Sequence, residues 1–246
     1  MNENFKIVIP ARLSSSRLPR KVLLDIAGKP LVQHVYERCV EVGASEVIVA
    51  TDSDEVADVV RGFTSDVVLT DVNHASGTDR VAEVSRLRGW SAETPVVNVQ
   101  GDAPMIPPES VRQVADLLIN NSQASIATLC VPIESDDEYH DSNVVKVTFD
   151  QFGRALYFSR ASIPANAREP EVIPTAWRHL GLYAYRVNAL EVLTNSPPCE
   201  LELVEHLEQL RAMWLGMDIR IAPAAVPNGP DIDTAADLEQ VRRLLA

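Results

Sequence analysis

Four short runs rich in Val and Ile, Phe5–Ile9, Glu46–Ala50, Asp66–Leu69 and Val96–Val99, alternate with stretches of a different period. Leu31–Val42, Asp54–Arg61 and Gly77–Leu87 space their apolar residues three or four apart, as one face of a helix requires. Ser53 before Asp54-Glu55, and Pro107-Pro108-Glu109 before Val111–Leu118, are good helix starts. This alternation predicts right-handed βαβ crossovers: an α/β fold with a mostly parallel sheet and helices on both faces.

The pattern changes after about residue 124. Ser125–Pro132, Val144–Phe149, Ala155–Phe158 and Leu180–Arg186 read as strands with little helix between them, interrupted by a Pro-containing loop at 163–176. A smaller antiparallel extension is expected there. Leu201–Leu215 reads as one amphipathic helix, Asp218–Ala222 as a late strand and Thr234–Leu245 as a closing helix capped by Asp233 or Thr234. With no internal repeat or low-complexity linker, residues 1–246 are expected to form one domain with a subdomain near 125–215.

The loop after the first strand is where chemistry is expected. The first 21 residues hold Lys6, Arg12, Arg17, Arg20 and Lys21 against a single acid, Glu3, in a chain of net charge −13. That local reversal of sign suits a highly charged anion, and the first loop of an open α/β sheet is where such anions sit. Neither common phosphate loop is present: there is no G-x-x-x-x-G-K-[ST], and no two of the ten glycines lie two apart. Unless this is merely a solvated basic loop, the anion is held by Arg and Lys side chains with backbone amides. The acidic balance argues against nucleic acid or an anionic membrane as partner. No apolar run approaches ~18 residues and no signal pattern opens the chain, so a cytoplasmic location is expected. Cys39, Cys130 and Cys199 are far apart and read as free thiols.

Asp102 follows a buried strand and the turn Gln100-Gly101, at the carboxyl end where ligands gather. Spacing alone leaves it open whether Asp102 is a turn residue or a metal ligand, and whether Asp233 is a ligand or a helix cap. Ser76, Gly77, Thr78 and Arg80 could be a capped helix start. Asp52 in Thr51-Asp52-Ser53-Asp54 is best read as structural. His34, His74, His140 and His206 show no ligand spacing.

The run "PARLSSSRLPRK", followed by "GKPLVQHVYER", resembles the cytidylyltransferases that activate 3-deoxy-manno-octulosonate (Kdo). Seven further blocks recur in order: "VATDSDEV" at 49–56, "HASGTDRVAEV" at 74–84, "VVNVQGDAPMIP" at 96–107, "ALYFSRASIP" at 155–164, "RHLGLYAYR" at 178–186, "LEQLRAMWLG" at 207–216 and "DIDTAADLEQVR" at 231–242. The resemblance implies a Rossmann-like nucleotidyltransferase fold and transfer of CMP from CTP to the anomeric hydroxyl of Kdo, with loss of pyrophosphate, for lipopolysaccharide synthesis. It implies Mg²⁺ on Asp102 and Asp233, with Arg12, Lys21, Asp102 and Asp233 as the catalytic set. Arg12, Arg17, Lys21, Ser76, Gly77, Thr78, Arg80 and Gln100 would hold the nucleotide. Gln100, Arg160, His179, Tyr183, Glu208 and Gln209 would hold the sugar acid, and a homodimer with contacts from 155–190 is expected. Alternatives are a related sugar acid, such as a Kdo variant or a nonulosonate, and a non-catalytic nucleotide-sugar binder. Three positions depart from the family's usual pattern: Arg20 stands for Gly, Leu13 for Tyr and Ala103 for Glu.

Overall fold

The structure is a computed structural model that describes residues 5–14, 18–169, 172–227 and 229–245. The chain opens with β1 (Lys6–Pro10), a 3₁₀ turn (Lys21–Leu23), a small hairpin of β2 (Asp25–Ile26) and β3 (Lys29–Pro30), and α1 (Leu31–Glu41). There follow β4 (Glu46–Thr51), α2 (Asp54–Arg61), β5 (Val67–Leu69), α3 (Gly77–Leu87), β6 (Pro95–Asn98) and α4 (Pro108–Ile119). The second half holds β7 (Ile126–Pro132), α5 (Asp136–His140), β8 (Lys146–Phe149), β9 (Ala155–Ser159) and β10 (Trp177–Arg186). It closes with α6 (Val187–Asn195), α7 (Glu200–Glu205), α8 (Gln209–Trp214), β11 (Ile219–Pro223) and α9 (Ala235–Leu245).

The main sheet has the order β11-β7-β10-β6-β1-β4-β5. Six of these strands point one way and β10 runs against its neighbours β6 and β7. The expected mixed α/β sheet is therefore present. Its antiparallel part is smaller than residues 125–215, because β7 shares the direction of β6 and pairs in parallel with β11. The β8–β9 hairpin hangs from β10.

The central strands are buried on both sides, which is why they read as unbroken apolar runs. Ile7, Ile9, Val97 and Val99 face α1, α4 and α9, meeting Leu31, Val35, Val111, Leu118 and Val241. Val8, Ile48 and Val96 face the other way, meeting Val81, Val84, Leu190 and Leu210 of α3, α6 and α8. Each such side chain contributes roughly 1.5–3 kcal/mol by leaving water.

Two readings of the second half are corrected. The helix expected over Leu201–Leu215 is two helices, α7 and α8, separated where His206 takes a left-handed backbone (φ 53°, ψ 48°). The apolar period continues through the break, so sequence could not show it; the break buries Leu207 and turns Glu208 and Gln209 toward a cavity. Helix α6 was missed because its residues resemble the strand before it, and α5 because it is one turn capped by Ser135.

Candidate active site

The strands β1 and β6 lie side by side, so the loops leaving their carboxyl ends are neighbours. Gly101 makes the approach possible: a Cβ there would stand 2.6 Å from the Pro10 carbonyl oxygen. The next residue, Asp102, accepts a hydrogen bond from Lys21 Nζ at 2.7 Å. Lys21 Nζ also donates to Asp233 Oδ1 at 3.1 Å. A main-chain bond from Ile232 N to Asp102 O, 3.0 Å, brings the late segment to the early one.

The capping alternative for Asp233 is settled by α9 itself. Thr234 Oγ1 accepts from Asp237 N, while the Asp237 carboxylate accepts from the amides of Asp233 and Thr234. Thr234 is the cap, and the Asp233 carboxylate faces Lys21. Two carboxylates thus converge on one ammonium. Asp231 adds a third negative charge nearby: desolvation, then Asp102 and Asp233, push its pKa up to about 6. Among the described residues no three His, Cys, Asp or Glu side chains are gathered for a metal. The hard oxygens of Asp102 and Asp233 nonetheless fit Mg²⁺, which takes one or two carboxylates and completes its shell with water and phosphate oxygens.

A cavity of about 210 Å³ opens over this group. Arg12, Ser14, Lys21, Gln100, Asp102 and Asp233 form one wall, and the loop from His74 to Gly77 forms the other. Ser76 caps α3 in a reciprocal capping box with Asp79 and also lines the cavity. Arg17 lies outside the described residues. Arg80 is 3% exposed and its guanidinium is taken up by Asp52 Oδ2 (2.6 Å), Thr70 Oγ1 (2.8 Å) and the Asp71 carbonyl (3.0 Å). Held this way it braces α3 to the ends of β4 and β5, and it also lines the cavity. Asp52 is structural, as its sequence suggested, with Ser53 capping α2.

Gln100 also borders two further cavities. The inner one, about 220 Å³, is lined by Thr78, Asn98, Tyr183, Tyr185, Glu208 and Gln209 among others. Burial pushes the Glu208 carboxyl upward, although Thr78 and Ser76 hydrogen-bond to it, and pushes the Tyr183 hydroxyl far up. The outer cavity, about 550 Å³, includes Ala103, Asn143, Arg178, His179 and Asp231. Tyr183, Glu208, Gln209, His179 and Gln100 therefore gather as expected, and Arg160 does not.

Arg160 donates to the carbonyls of Glu205, His206 and Ser142, and its amide donates to the Glu205 carboxylate. It ties β9 to α7 rather than facing the cleft. The cation that lines the outer cavity is Arg178, which sequence reasoning passed over beside His179. Arg178 pairs with Glu138 at 2.9 Å, and its buried Nε has no hydrogen-bond partner among the described residues. His179 cannot supply positive charge, because desolvation lowers its pKa to about 3. Thr128 Oγ1 can donate to the Leu182 carbonyl (2.8 Å) and accept from His179 Nε2 (2.9 Å). Neutral His179 then presents Nδ1 as an acceptor.

Arg20 keeps the left-handed backbone (φ 59°, ψ 29°) that glycine adopts without strain. Its side chain does not line the first cavity and pairs with Glu55 of α2. Arg20→Ala is therefore expected to change KM for CTP less than threefold in steady-state assays. Arg20→Gly should relieve about 1 kcal/mol of strain while losing an exposed ion pair worth less than that.

The cytidylyltransferase family profile matches residues 6–219. A 3-deoxy-manno-octulosonate cytidylyltransferase from Thioalkalivibrio sulfidiphilus is 47% identical, covering 98% of this chain and 99% of its own. The chain belongs to the 3-deoxy-manno-octulosonate cytidylyltransferase family. Another such cytidylyltransferase, from Vibrio vulnificus CMCP6, is 50% identical over 99% of this chain and 98% of its own. A solved structure described as CMP:2-keto-3-deoxy-manno-octonic acid synthetase complexed with CTP superposes with a TM-score of 0.90 at 42% identity, covering 98% of each chain. A 4-diphosphocytidyl-2C-methyl-D-erythritol synthase shares the fold alone, at TM-score 0.67 and 15% identity.

Proposed function

We propose that this cytidylyltransferase transfers CMP from CTP to the anomeric hydroxyl of Kdo and releases pyrophosphate, for lipopolysaccharide synthesis. The observation that carries the reading is the continuity of the cleft. Gln100 borders both the cavity walled by Arg12, Lys21 and the two aspartates and the two cavities lined by Tyr183, Glu208, Gln209 and His179. The sugar oxygen forms the new bond to the α-phosphorus as the bridging oxygen leaves with pyrophosphate, so no covalent enzyme intermediate is needed.

Arg12 and Lys21 bind the triphosphate and offset the charge gathering around phosphorus, acting from fixed positions. Ser76 and Gly77 border the nucleoside end. Arg178, rather than Arg160, faces the acceptor carboxylate, with His179 and Glu208 ordering hydroxyls. Asp102 and Asp233 would hold Mg²⁺, which would supply charge neutralisation and phosphate orientation when bound. Pyrophosphate release on mixing the protein with CTP, Mg²⁺ and Kdo tests the reading; its absence would leave a nucleotide-sugar binder. Ala103, in the acceptor wall, makes a panel of related sugar acids the right companion assay.

A cytoplasmic location follows from the nucleotide substrate; among the described residues no helix is long and apolar enough to cross a membrane. The protein is expected to work as a homodimer. Helix α7 buries none of its residues, and Leu203 (61% exposed) and Val204 (73%) stand outward, with Leu156 of β9 also exposed. Sedimentation should give a dimer mass at micromolar concentration, and Leu203→Asp with Val204→Asp should give the monomer; a wild-type monomer overturns this assembly.

A further inference from the structure

Asn98 ends β6 on the face that carries Val96, because side chains two apart in a strand share a side. Val96 joins Val8 and Tyr185 in the apolar cluster under α3 and α6, so a third apolar residue would extend that packing. An amide stands there instead. Asn98 is 2% exposed, and its Oδ1 has no hydrogen-bond partner among the described residues. A buried acceptor without a donor is destabilising, and a folded protein retains one where something else completes it.

The surroundings say what that is. Asn98 lines the inner cavity with Gln100, Tyr183, Glu208 and Gln209, and Tyr183 pairs with it across β10. We propose that Asn98 is a specificity-determining residue of the acceptor site, its Oδ1 accepting a hydrogen bond from a hydroxyl of the bound sugar acid. An amide oxygen only accepts, so it favours a hydroxyl donor and disfavours a carboxylate. This rests on the acceptor reading above and adds a residue to it. A site that hydrogen-bonds a substrate hydroxyl also rejects analogues lacking it, because its own group is then left unpaired.

The test uses Asn98→Leu, close to isosteric, with Asn98→Ala in case leucine disturbs packing. Loss of the bond should lower kcat/KM for Kdo by about 10- to 100-fold. KM for CTP should stay within twofold. The thermal midpoint should hold or rise in Asn98→Leu, since an orphaned amide gives way to an apolar group; a merely structural asparagine would give the opposite pair of results. With wild-type protein, Kdo analogues each lacking one hydroxyl should include one that loses a similar factor, and Asn98→Leu should use that analogue and Kdo alike. Undiminished Kdo kinetics, additive losses with every analogue, or a changed preference for CTP over UTP would each overturn the assignment. Wild-type protein that releases no pyrophosphate from CTP and Kdo would instead overturn the reaction itself, whatever the variants do.

Discussion

Asp102→Asn is expected to lower turnover by on the order of 10²–10³, the usual loss when one group that stabilises a charged transition state is removed. Asp233→Asn should do the same, because both carboxylates meet at Lys21 and both fit the metal. Asparagine keeps the shape, and the lost bond to Lys21 is offset by relief of crowding among Asp102, Asp231 and Asp233. The thermal midpoint without Mg²⁺ should therefore move by no more than a few degrees. Both variants should need more Mg²⁺ for half-maximal rate than the wild type. Wild-type turnover at ordinary Mg²⁺ in either variant would sink the assignment of the pair.

Lys21→Met is the second large effect. Lys21 is nearly buried, and methionine preserves most of its packing while removing the charge. KM for CTP or the turnover rate should worsen by more than about tenfold, because a point charge beside the phosphates is lost. Stability should fall too. Removing one partner of a buried pair costs about 3–5 kcal/mol, but Asp102 and Asp233 are 29% and 43% exposed. Screening reduces this to roughly 1–2 kcal/mol, or a few degrees in Tm. Since the cation between the carboxylates is gone, added Mg²⁺ should raise the midpoint of Lys21→Met more than that of the wild type. Equal Mg²⁺ shifts in the two proteins would show that Lys21 and the metal do not act on the same carboxylates.

Sequence reasoning reached furthest where local rules govern. The helices at 54–61 and 77–87 have the expected bounds, because Ser53 and Ser76 cap them and their apolar faces repeat cleanly. The strands β1, β4 and β6 were legible because both of their faces are buried. The family was legible from ordered blocks, and five of the six expected sugar-site residues gather around the inner and outer cavities. The misreadings share a cause: a residue type names a capability, and the fold decides what uses it. Arg160 and Arg178 are the same chemistry in two family blocks, yet backbone carbonyls take up one and the other faces the cleft. Arg80 borders the first cavity, but that its guanidinium is taken up by Asp52 was not visible in spacing. His179 enters by resemblance as a sugar-site residue, and only the fold shows that desolvation favours its neutral ring.

The sequence by itself determined the sheet-forming runs, the helix starts and the basic loop after β1, since these depend on spacing, caps and local charge. Only the tertiary structure decided that β10 runs against its neighbours, that a left-handed His206 splits one apolar helix into two, and that Thr234 rather than Asp233 caps α9. It alone brought Asp102, Asp233 and Lys21 to one point, and it alone left the Asn98 oxygen without a donor among the described residues. The reason is physical. Periodicity and capping are settled within a few residues along the chain, whereas burial, pairing and desolvation depend on segments that meet only when the sheet closes between them.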